Sequence, residues 1–202
     1  MNLPTKLTIL RILLIPVFVA LYLIEFPYHD VIATGIFLIA SLTDFLDGYI
    51  ARKYNMVTDM GKFLDPIADK VLVMSALVLL CVEFTGTEGL IVVICTIIIL
   101  AREFIISGFR LIAAGKNLVL AADKLGKAKT VMQMISLVAL LITPFAFSLY
   151  GTIIPETPAQ FPVLGIVVIM IGLSSLVIAT LLAILSAINY ISKNSSVLKE
   201  NK

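Results

Sequence analysis

Residues 36–80 decide how the rest of the chain is interpreted, and they read IFLIASLTDFLDGYIARKYNMVTDMGKFLDPIADKVLVMSALVLL. Two apolar segments flank a polar stretch that carries aspartates at helical spacings, Asp44 with Asp47 and Asp65 with Asp69. A carboxylate in the middle of a membrane-spanning helix costs roughly 2.5–3.5 kcal/mol. Because neighbouring carboxylates also repel one another, we expect bound positive charge to offset them.

The composition of the whole chain indicates a membrane protein. Of its 202 residues, 60% are hydrophobic and 14% are charged, and the mean hydropathy is +1.11. Soluble domains average about 45–50% apolar and about 25% charged residues. The excess is too large for one soluble core, so we expect a single membrane-embedded domain over residues 1–202. The net charge of +2 is small, and no nucleic-acid partner is expected.

Six segments are apolar and long enough to cross a bilayer, which takes about 20 residues. They are 7–25, 31–52, 62–82, 89–115, 128–149 and 161–192, and the last is long enough that we expect it to tilt or to project into the cytosol. None of the fifteen Lys and Arg residues falls in the loops at 25–30, 83–88 and 150–161. Cytoplasmic loops carry the excess of Lys and Arg. The sequence therefore predicts an all-α protein with six transmembrane helices and both termini in the cytoplasm.

The spacing of the aspartates predicts a metal site. Asp44 and Asp47 lie three residues apart and Asp65 and Asp69 four apart, so each pair shares one helix face. A short turn at 53–60 would make the two helices antiparallel neighbours whose carboxylates face a common groove. Hard cations such as Mg²⁺ and Mn²⁺ prefer oxygen ligands, and Mg²⁺ often shares its shell with phosphates. Two ions would nearly neutralise the cluster, and we expect two.

Ion pairing is the alternative explanation for these aspartates, with Arg52, Lys62, Lys70, Arg102 and Arg110 as the bases. A structural pair needs one acid and one base, whereas here acids come in pairs, which favours the metal site. Gly48, Ala51 and Gly61 would let helices or a flat ligand approach closely. Because a residue before proline is biased away from the helix, we expect Asp65 to cap the third helix and still face the groove.

The pattern D-x2-D-G-x2-A-R-x8-G-x3-D-x3-D, which runs from Asp44 to Asp69, resembles without a departure the signature of the CDP-alcohol phosphotransferase family. The stretches NLPTKLTILR (2–11), AREFIISGFR (101–110) and KLGKAKT (124–130) are similar to the bacterial branch that makes phosphatidylglycerophosphate. The similarity extends from residue 2 to about residue 135, and the last third matches only as membrane helix. The resemblance implies a six-helix membrane enzyme that is usually homodimeric. The absence of a transit peptide favours a bacterial plasma membrane, and the distribution of Lys and Arg predicts an active site that faces the cytoplasm.

The resemblance also implies an activity and a set of site residues. The family transfers a phosphatidyl group from CDP-diacylglycerol to an alcohol and releases CMP, and in this branch the acceptor is sn-glycerol 3-phosphate. Asp44, Asp47 and Asp65 would bind metal, and Asp69 would bind metal and act as general base. Contacts to CDP-diacylglycerol are expected from Gly48, Ala51, Arg52, Gly61, Thr8 and Arg11. For Arg11, membrane lipid head groups are an equal alternative to the nucleotide phosphates.

The phosphate of the acceptor needs a separate cationic site, for which the candidates are Arg110, Lys116, Lys124, Lys127 and Lys129, with Arg102 deeper in the fourth helix. Arginine binds phosphate through two parallel hydrogen bonds, which favours Arg110. An ion pair with the adjacent Glu103 is an alternative role for Arg102. Anchoring at anionic lipid heads is an equal alternative for Lys116 and Lys129.

Two other functions remain open from the sequence. The same chemistry could use inositol phosphate or serine, and the basic stretch at 110–129 favours a phosphorylated acceptor over serine. A divalent-cation transporter could use the same carboxylates. Transporters, however, hold their sites near the bilayer midplane between related repeats, whereas these acids cluster toward the cytosolic end in one third of the chain.

Overall fold

The computed structural model describes residues 3–54, 59–116, 118, 124–153 and 163–194, and the side chains of 6–43, 64, 67–116, 118, 125–149 and 163–194. Within these ranges the chain is helical and contains no strand, which confirms the all-α prediction. The helices are α1 (Leu3–Leu23), α2 (His29–Tyr54), α3 (Asp59–Glu83), α4 (Gly86–Gly115), α5 (Lys124–Leu141), α6 (Thr143–Ile153) and α7 (Val163–Lys193).

Several of these helices are long and apolar enough to cross a membrane. Among the described residues, Lys6–Leu23, Gly86–Gly115 and Val163–Lys193 meet that test, and the bent pair Leu125–Leu141 with Thr143–Leu149 would be a fourth span. The apolar part of α2, His29–Thr43, is shorter. The segment predicted at 161–192 forms one continuous helix of 31 residues. At 1.5 Å per residue it is about 46 Å long, which exceeds the ~30 Å hydrocarbon core.

The segment predicted as one helix at 128–149 is instead two, because α5 and α6 meet at a bend of 43°. Pro144 explains the break, since it lacks an N–H and its ring clashes with the carbonyl of the residue four positions earlier. The bend is bridged locally: the Ile142 N–H bonds to the Val138 carbonyl, and the Thr143 hydroxyl donates to the Ala139 carbonyl at 2.8 Å.

The prediction that Asp65 caps the third helix is wrong. The helix α3 begins at Asp59, so that Asp65 and Pro66 lie inside it, beyond its first turn. The bias of a residue before proline toward extended backbone is a local preference. Here the helical turns on both sides of the pair override it.

Close packing between α5 and α7 forms the largest helix contact, followed by that between α1 and α2. The α5–α7 approach depends on Gly172, where an added Cβ would lie 2.6 Å from a methyl carbon of Leu140. The core continues through the fully buried Leu77, Ile99 and Leu176. In the resulting bundle, α3, α4 and α5 bring Asp69, Glu103 and Lys129 to the wall of one cavity.

We expect Gly172→Ala to destabilise the bundle, because the new methyl group would collide with Leu140, whose side chain is itself fully buried. Overpacking of this kind costs about 1–3 kcal/mol. Thermal unfolding of the detergent-purified protein measures the change. Gly35→Ala is the matched control, because nothing lies within 4 Å of the added carbon and alanine favours the helix. Equal melting temperatures for the two variants would contradict the packing argument.

Candidate functional site

A cavity of 260 Å³ lies between α2, α3, α4 and α5. Its lining follows helical spacing: Asp69, Val73 and Leu77 succeed one another at four-residue intervals on α3. On α4 the pair at the same interval is Ile99 and Glu103, and on α5 it is Lys129 and Gln133. One face of each helix thus reaches the cavity, and a polar group stands at one end of each face.

Asp69 is the motif aspartate whose side chain the structure describes. Its carboxylate is exposed and lines the cavity. Asp44 and Asp47 lie in α2 and Asp65 lies in α3, and these two helices are in contact, as the sequence predicted. The side chains of those three aspartates, and those of Gly48, Ala51, Arg52 and Gly61, lie outside the described residues.

Whether α2 and α3 can bind a metal ion depends on which ligand atoms their side chains offer. Carboxylate oxygens on two touching helices are ligands of the kind that Mg²⁺ and Mn²⁺ take. Among the side chains that the structure describes, no group of three or more His, Cys, Asp or Glu could hold an ion. The predicted metal ligands beyond Asp69 lie outside those side chains, so the two-ion site stays a prediction.

A shared carboxylate holds two cations at the wall of the cavity. Glu103 Oε1 lies 2.6 Å from the Lys129 ammonium nitrogen and 3.0 Å from Nη1 of Arg102. The other Arg102 terminal nitrogen donates to the Ser186 hydroxyl on α7 at 2.9 Å. The network therefore joins α4, α5 and α7. One carboxylate between two cations leaves the trio with a net charge of +1.

A second lysine of the cavity is also held by α4. Lys70, which follows Asp69 on α3, donates a hydrogen bond to the Ser107 hydroxyl. That hydroxyl in turn donates to the backbone carbonyl of Glu103 at 2.6 Å. Among the described side chains, both lysines that line the cavity are thus positioned by a single turn of α4. The arrangement can receive an anion beside the Asp69 carboxylate.

The residues predicted to bind the acceptor phosphate are dispersed. Arg110 donates from Nε to the Tyr190 hydroxyl at 3.2 Å, and its guanidinium carbon lies 5.5 Å from the centre of that ring. Neither Arg102 nor Arg110 is among the described residues that line the cavity. Lys127 is exposed, and the side chain of Lys124 lies outside the described part. The alternative role of Arg102, an ion pair with Glu103, is confirmed.

Burial decides the alternative that the sequence left open for Lys129. Lys129 is 4% exposed and pairs with Glu103, so the proposed anchoring of this lysine at lipid heads is wrong. Thr8 and Arg11 are both fully buried on α1. Because Arg11 has no exposed surface, its burial does not favour the nucleotide phosphates over lipid head groups, and its contact with either stays a prediction.

Sequence reasoning missed the contribution of Glu103 and Gln133 to the cavity, whereas Lys129 was among the candidates for the acceptor phosphate. A signal was present, since an ionisable residue within an apolar helix marks a functional site by default. Lys129 and Gln133 also stand at helical spacing in an otherwise apolar stretch. The pairing of Glu103 with a residue 26 positions away was not visible, because it depends on how α4 and α5 are rotated.

Comparisons with known proteins give a consistent result. The model of the family described as CDP-alcohol phosphatidyltransferase matches residues 1–185. A relative from Bacillus subtilis (strain 168) is 39% identical over 98% of this chain and 97% of its own length. One from Rickettsia bellii is 44% identical over 70% of this chain and 75% of its own, and one from Wigglesworthia glossinidia brevipalpis 34% over 94% and 93%. All three are named CDP-diacylglycerol–glycerol-3-phosphate 3-phosphatidyltransferase.

We expect Glu103→Gln to destabilise the protein more than Lys129→Met. The first change leaves Arg102 and Lys129 without their shared counter-charge, whereas the second leaves Glu103 paired with Arg102. Breaking a buried pair costs about 3–5 kcal/mol, and we expect the low end because 22% of the Glu103 side chain is exposed.

Thermal unfolding measures both variants, with Glu88→Gln at the far end of α4 as the control for loss of a carboxylate. In the double variant Glu103→Gln/Lys129→Met, the loss should be smaller than the sum of the single losses. Additive losses would show that the pair does not couple the helices.

Proposed function

This chain belongs to the CDP-alcohol phosphatidyltransferase family, and on that basis we propose that it transfers the phosphatidyl group of CDP-diacylglycerol to sn-glycerol 3-phosphate, giving phosphatidylglycerophosphate and CMP. The observation that carries the proposal is the 39% identity, over nearly the full length of both chains, to a Bacillus subtilis relative named for this reaction. The complete aspartate motif and the cavity beside Asp69 support it.

Asp44, Asp47, Asp65 and Asp69 are proposed to hold two Mg²⁺ or Mn²⁺ ions. The proposal is supported by the oxygen donors of the motif and by the contact between the two helices that carry it. Ions bound there would neutralise charge on the diphosphate and on the departing CMP. On the same motif we propose that Gly48, Ala51, Arg52 and Gly61, with Thr8 and Arg11 of α1, contact the CDP moiety.

Asp69 is proposed as the general base. Its exposed carboxylate lines the cavity, where an acceptor hydroxyl can come within hydrogen-bond reach. As the hydroxyl oxygen forms its bond to the lipid-side phosphorus, its proton passes to Asp69. The bond from that phosphorus to the bridging oxygen breaks, and CMP departs with the electron pair. Holding both substrates in line supplies much of the acceleration.

The acceptor phosphate is proposed to bind beside Lys70 and Lys129, which both line the cavity. Each lysine is held by α4, so little side-chain freedom remains to be lost on binding. Lys124 and Lys127 precede Lys129 on α5 and stay candidates for the same phosphate. Arg102 would act through Glu103. Arg110, stacked on Tyr190, would contribute from outside the cavity.

Six membrane spans with both termini in the cytoplasm remain part of the proposal. The support is the three or four candidate spans among the described residues and the confinement of Lys and Arg to one set of loops. On this topology the chain is one multi-pass domain of the plasma membrane, and the cavity faces the cytoplasm. A homodimer is proposed from the family resemblance alone.

Product analysis tests the activity directly. Purified protein is incubated with CDP-diacylglycerol, Mg²⁺ or Mn²⁺ and one acceptor at a time, and the lipid products are identified by mass. We expect phosphatidylglycerophosphate from glycerol 3-phosphate. Product formed only with inositol phosphate or only with serine would overturn the choice of acceptor and leave the chemistry standing.

Asp69→Asn should reduce kcat by at least about 10²-fold, since a general base typically contributes 10²–10⁴-fold and this one is proposed to bind metal as well. Because the side chain is exposed, we expect the melting temperature to change little. Asp59→Asn, on the same helix at a position that the motif leaves unspecified, is the control. Near-normal turnover in Asp69→Asn would refute its role as base.

A further inference from the structure

A second cavity lies at the opposite end of the bundle from Asp69, where the end of α1, the start of α2, the end of α3 and the start of α6 meet. Its volume of 540 Å³ lies in the range of about 300–1,000 Å³ that is typical of small-molecule pockets. Glu83 lines this cavity at the last residue of α3, about 21 Å from Asp69 at 1.5 Å per residue. The cavity is therefore separate from the site of the proposed reaction.

Among the described residues, the wall of this cavity carries negative charge without a counter-charge. Glu25 and Glu83 line it with exposed side chains, and none of the described lining residues is Lys or Arg. The buried carboxylate of Asp30 accepts a hydrogen bond from the backbone N–H of Val31 at 2.9 Å. Glu83 and Asp30 both act electrostatically on the Tyr22 hydroxyl, so both carboxylates lie near this ring. Such a wall favours a cation.

Aromatic rings and a further acceptor complete this part of the wall. The rings of Tyr22 and His29 meet edge to face with 6.3 Å between their centres, and Phe26 lies 5.9 Å from His29. Nδ1 of His29 lies 3.1 Å from the backbone carbonyl oxygen of Tyr22. Because a carbonyl oxygen only accepts, Nδ1 carries the hydrogen, and Nε2 of the neutral ring is an acceptor. Ring faces and acceptors together suit a cation that donates hydrogen bonds.

The hydroxyl of Tyr22 is a second, independent indication of a ligand. Tyr22 is 4% exposed, and its hydroxyl oxygen is buried without a hydrogen-bond partner among the described residues. A buried tyrosine hydroxyl usually has a partner, because an unpaired polar group loses its hydration without compensation. The ring lines the cavity, so a ligand bound there would supply the missing hydrogen bond.

The arrangement of the acidic groups distinguishes an organic cation from a metal ion. A metal ion needs several ligand atoms at one point, and among the described side chains no group of three or more His, Cys, Asp or Glu could hold one. An ammonium group needs less convergence, since its three hydrogens point in different directions. The carbon chain beside it is stabilised against aromatic rings.

We propose that this cavity binds primary ammonium cations, with the ammonium group donating to the acidic wall of Glu25 and Glu83 and the adjoining carbons packed against Tyr22 and Phe26. A soluble diamine and the head group of an ethanolamine lipid share this chemistry. Binding here does not depend on the proposed reaction, because the aspartate motif lies at the other ends of α2 and α3.

Thermal unfolding of the detergent-purified protein measures the binding. Putrescine is compared with 1,4-butanediol, its neutral analogue, and with its permethylated diquaternary analogue. Ionic strength is constant, and excess Mg²⁺ keeps the diamine from the aspartate motif. We expect a saturable rise in melting temperature with putrescine and none with the diol. The quaternary analogue keeps the charge but donates no hydrogen bond, so its dissociation constant should be at least about threefold higher.

A matched pair of carboxylate variants locates the binding. Glu83→Gln should raise the dissociation constant of putrescine by about fivefold, the upper range for an ion pair in contact with solvent. Glu88→Gln should leave it unchanged, because Glu88 is exposed near the same end of the bundle but is not among the described residues that line the cavity. If Glu83→Gln fails to fold, Glu25→Gln tests the other exposed carboxylate of the wall.

Tyr22→Phe removes the hydroxyl and keeps the ring. It should raise the dissociation constant about threefold without lowering the melting temperature of the free protein, because the hydroxyl has no partner to lose among the described residues. A purely structural role would lower the melting temperature and leave the dissociation constant unchanged. That result, an equal shift with the diol, or an affinity that Glu83→Gln leaves intact would overturn the proposal.

Bilayer composition distinguishes the two sources of the amine. On the proposed topology the cavity opens at the outer face of the membrane. The protein is placed in nanodiscs of phosphatidylglycerol mixed with an equal share of phosphatidylethanolamine or phosphatidylcholine. A higher dissociation constant of putrescine in phosphatidylethanolamine alone supports a lipid head group as the ligand. Equal constants in the two bilayers support a soluble amine.

Discussion

The pairing of the Glu103 carboxylate with two cations is the interaction on which the rest of the site depends. The carboxylate is shared between Lys129 on α5 and Arg102 on α4, and Arg102 reaches Ser186 on α7. Half-buried charges of this kind are stable only when paired, so the helices that carry them are held in one relative position. The backbone carbonyl of Glu103 accepts a hydrogen bond from Ser107, which accepts one from Lys70, the neighbour of Asp69. Three cations beside Asp69, namely Lys70, Arg102 and Lys129, are thus positioned by one residue.

Hydropathy and charge predicted the helices well and their interruptions poorly. All of the predicted segments except the one at 128–149 correspond to single helices, because a long apolar stretch between charged loops favours one continuous helix. The fifth segment divides at Ile142, where apolar residues continue without a change in hydropathy but Pro144 removes a backbone donor. Asp65 shows the opposite case, since a local preference before proline yielded to the helix around it.

In the site, too, relations within one helix follow from the sequence, whereas contacts between helices do not. Asp69, Val73 and Leu77 line the cavity together, because 3.6 residues per turn places residues four apart on one face of α3. Contacts between helices depend on their rotation and depth, which spacing does not give. Arg110 therefore stacks on Tyr190 away from the cavity, and Lys129, read as equally suited to the membrane surface, is buried at its wall.

The bend at Ile142 is the pivot about which a rotation of α5 would displace the residues at its other end. Lys129 lies thirteen residues from that pivot, about 20 Å at 1.5 Å per residue, so a rotation of one degree displaces the lysine by about 0.3 Å. A rotation of α5 by a few degrees would therefore move Lys129 far enough to break its hydrogen bond with Glu103. The close packing of Gly172 on Leu140 holds α5 near the bend, and the ion pair of Lys129 with Glu103 holds it near its N-terminal end. A helix held at both points is stiff between them, and this stiffness sets how accurately the Lys129 ammonium group is placed at the wall of the cavity.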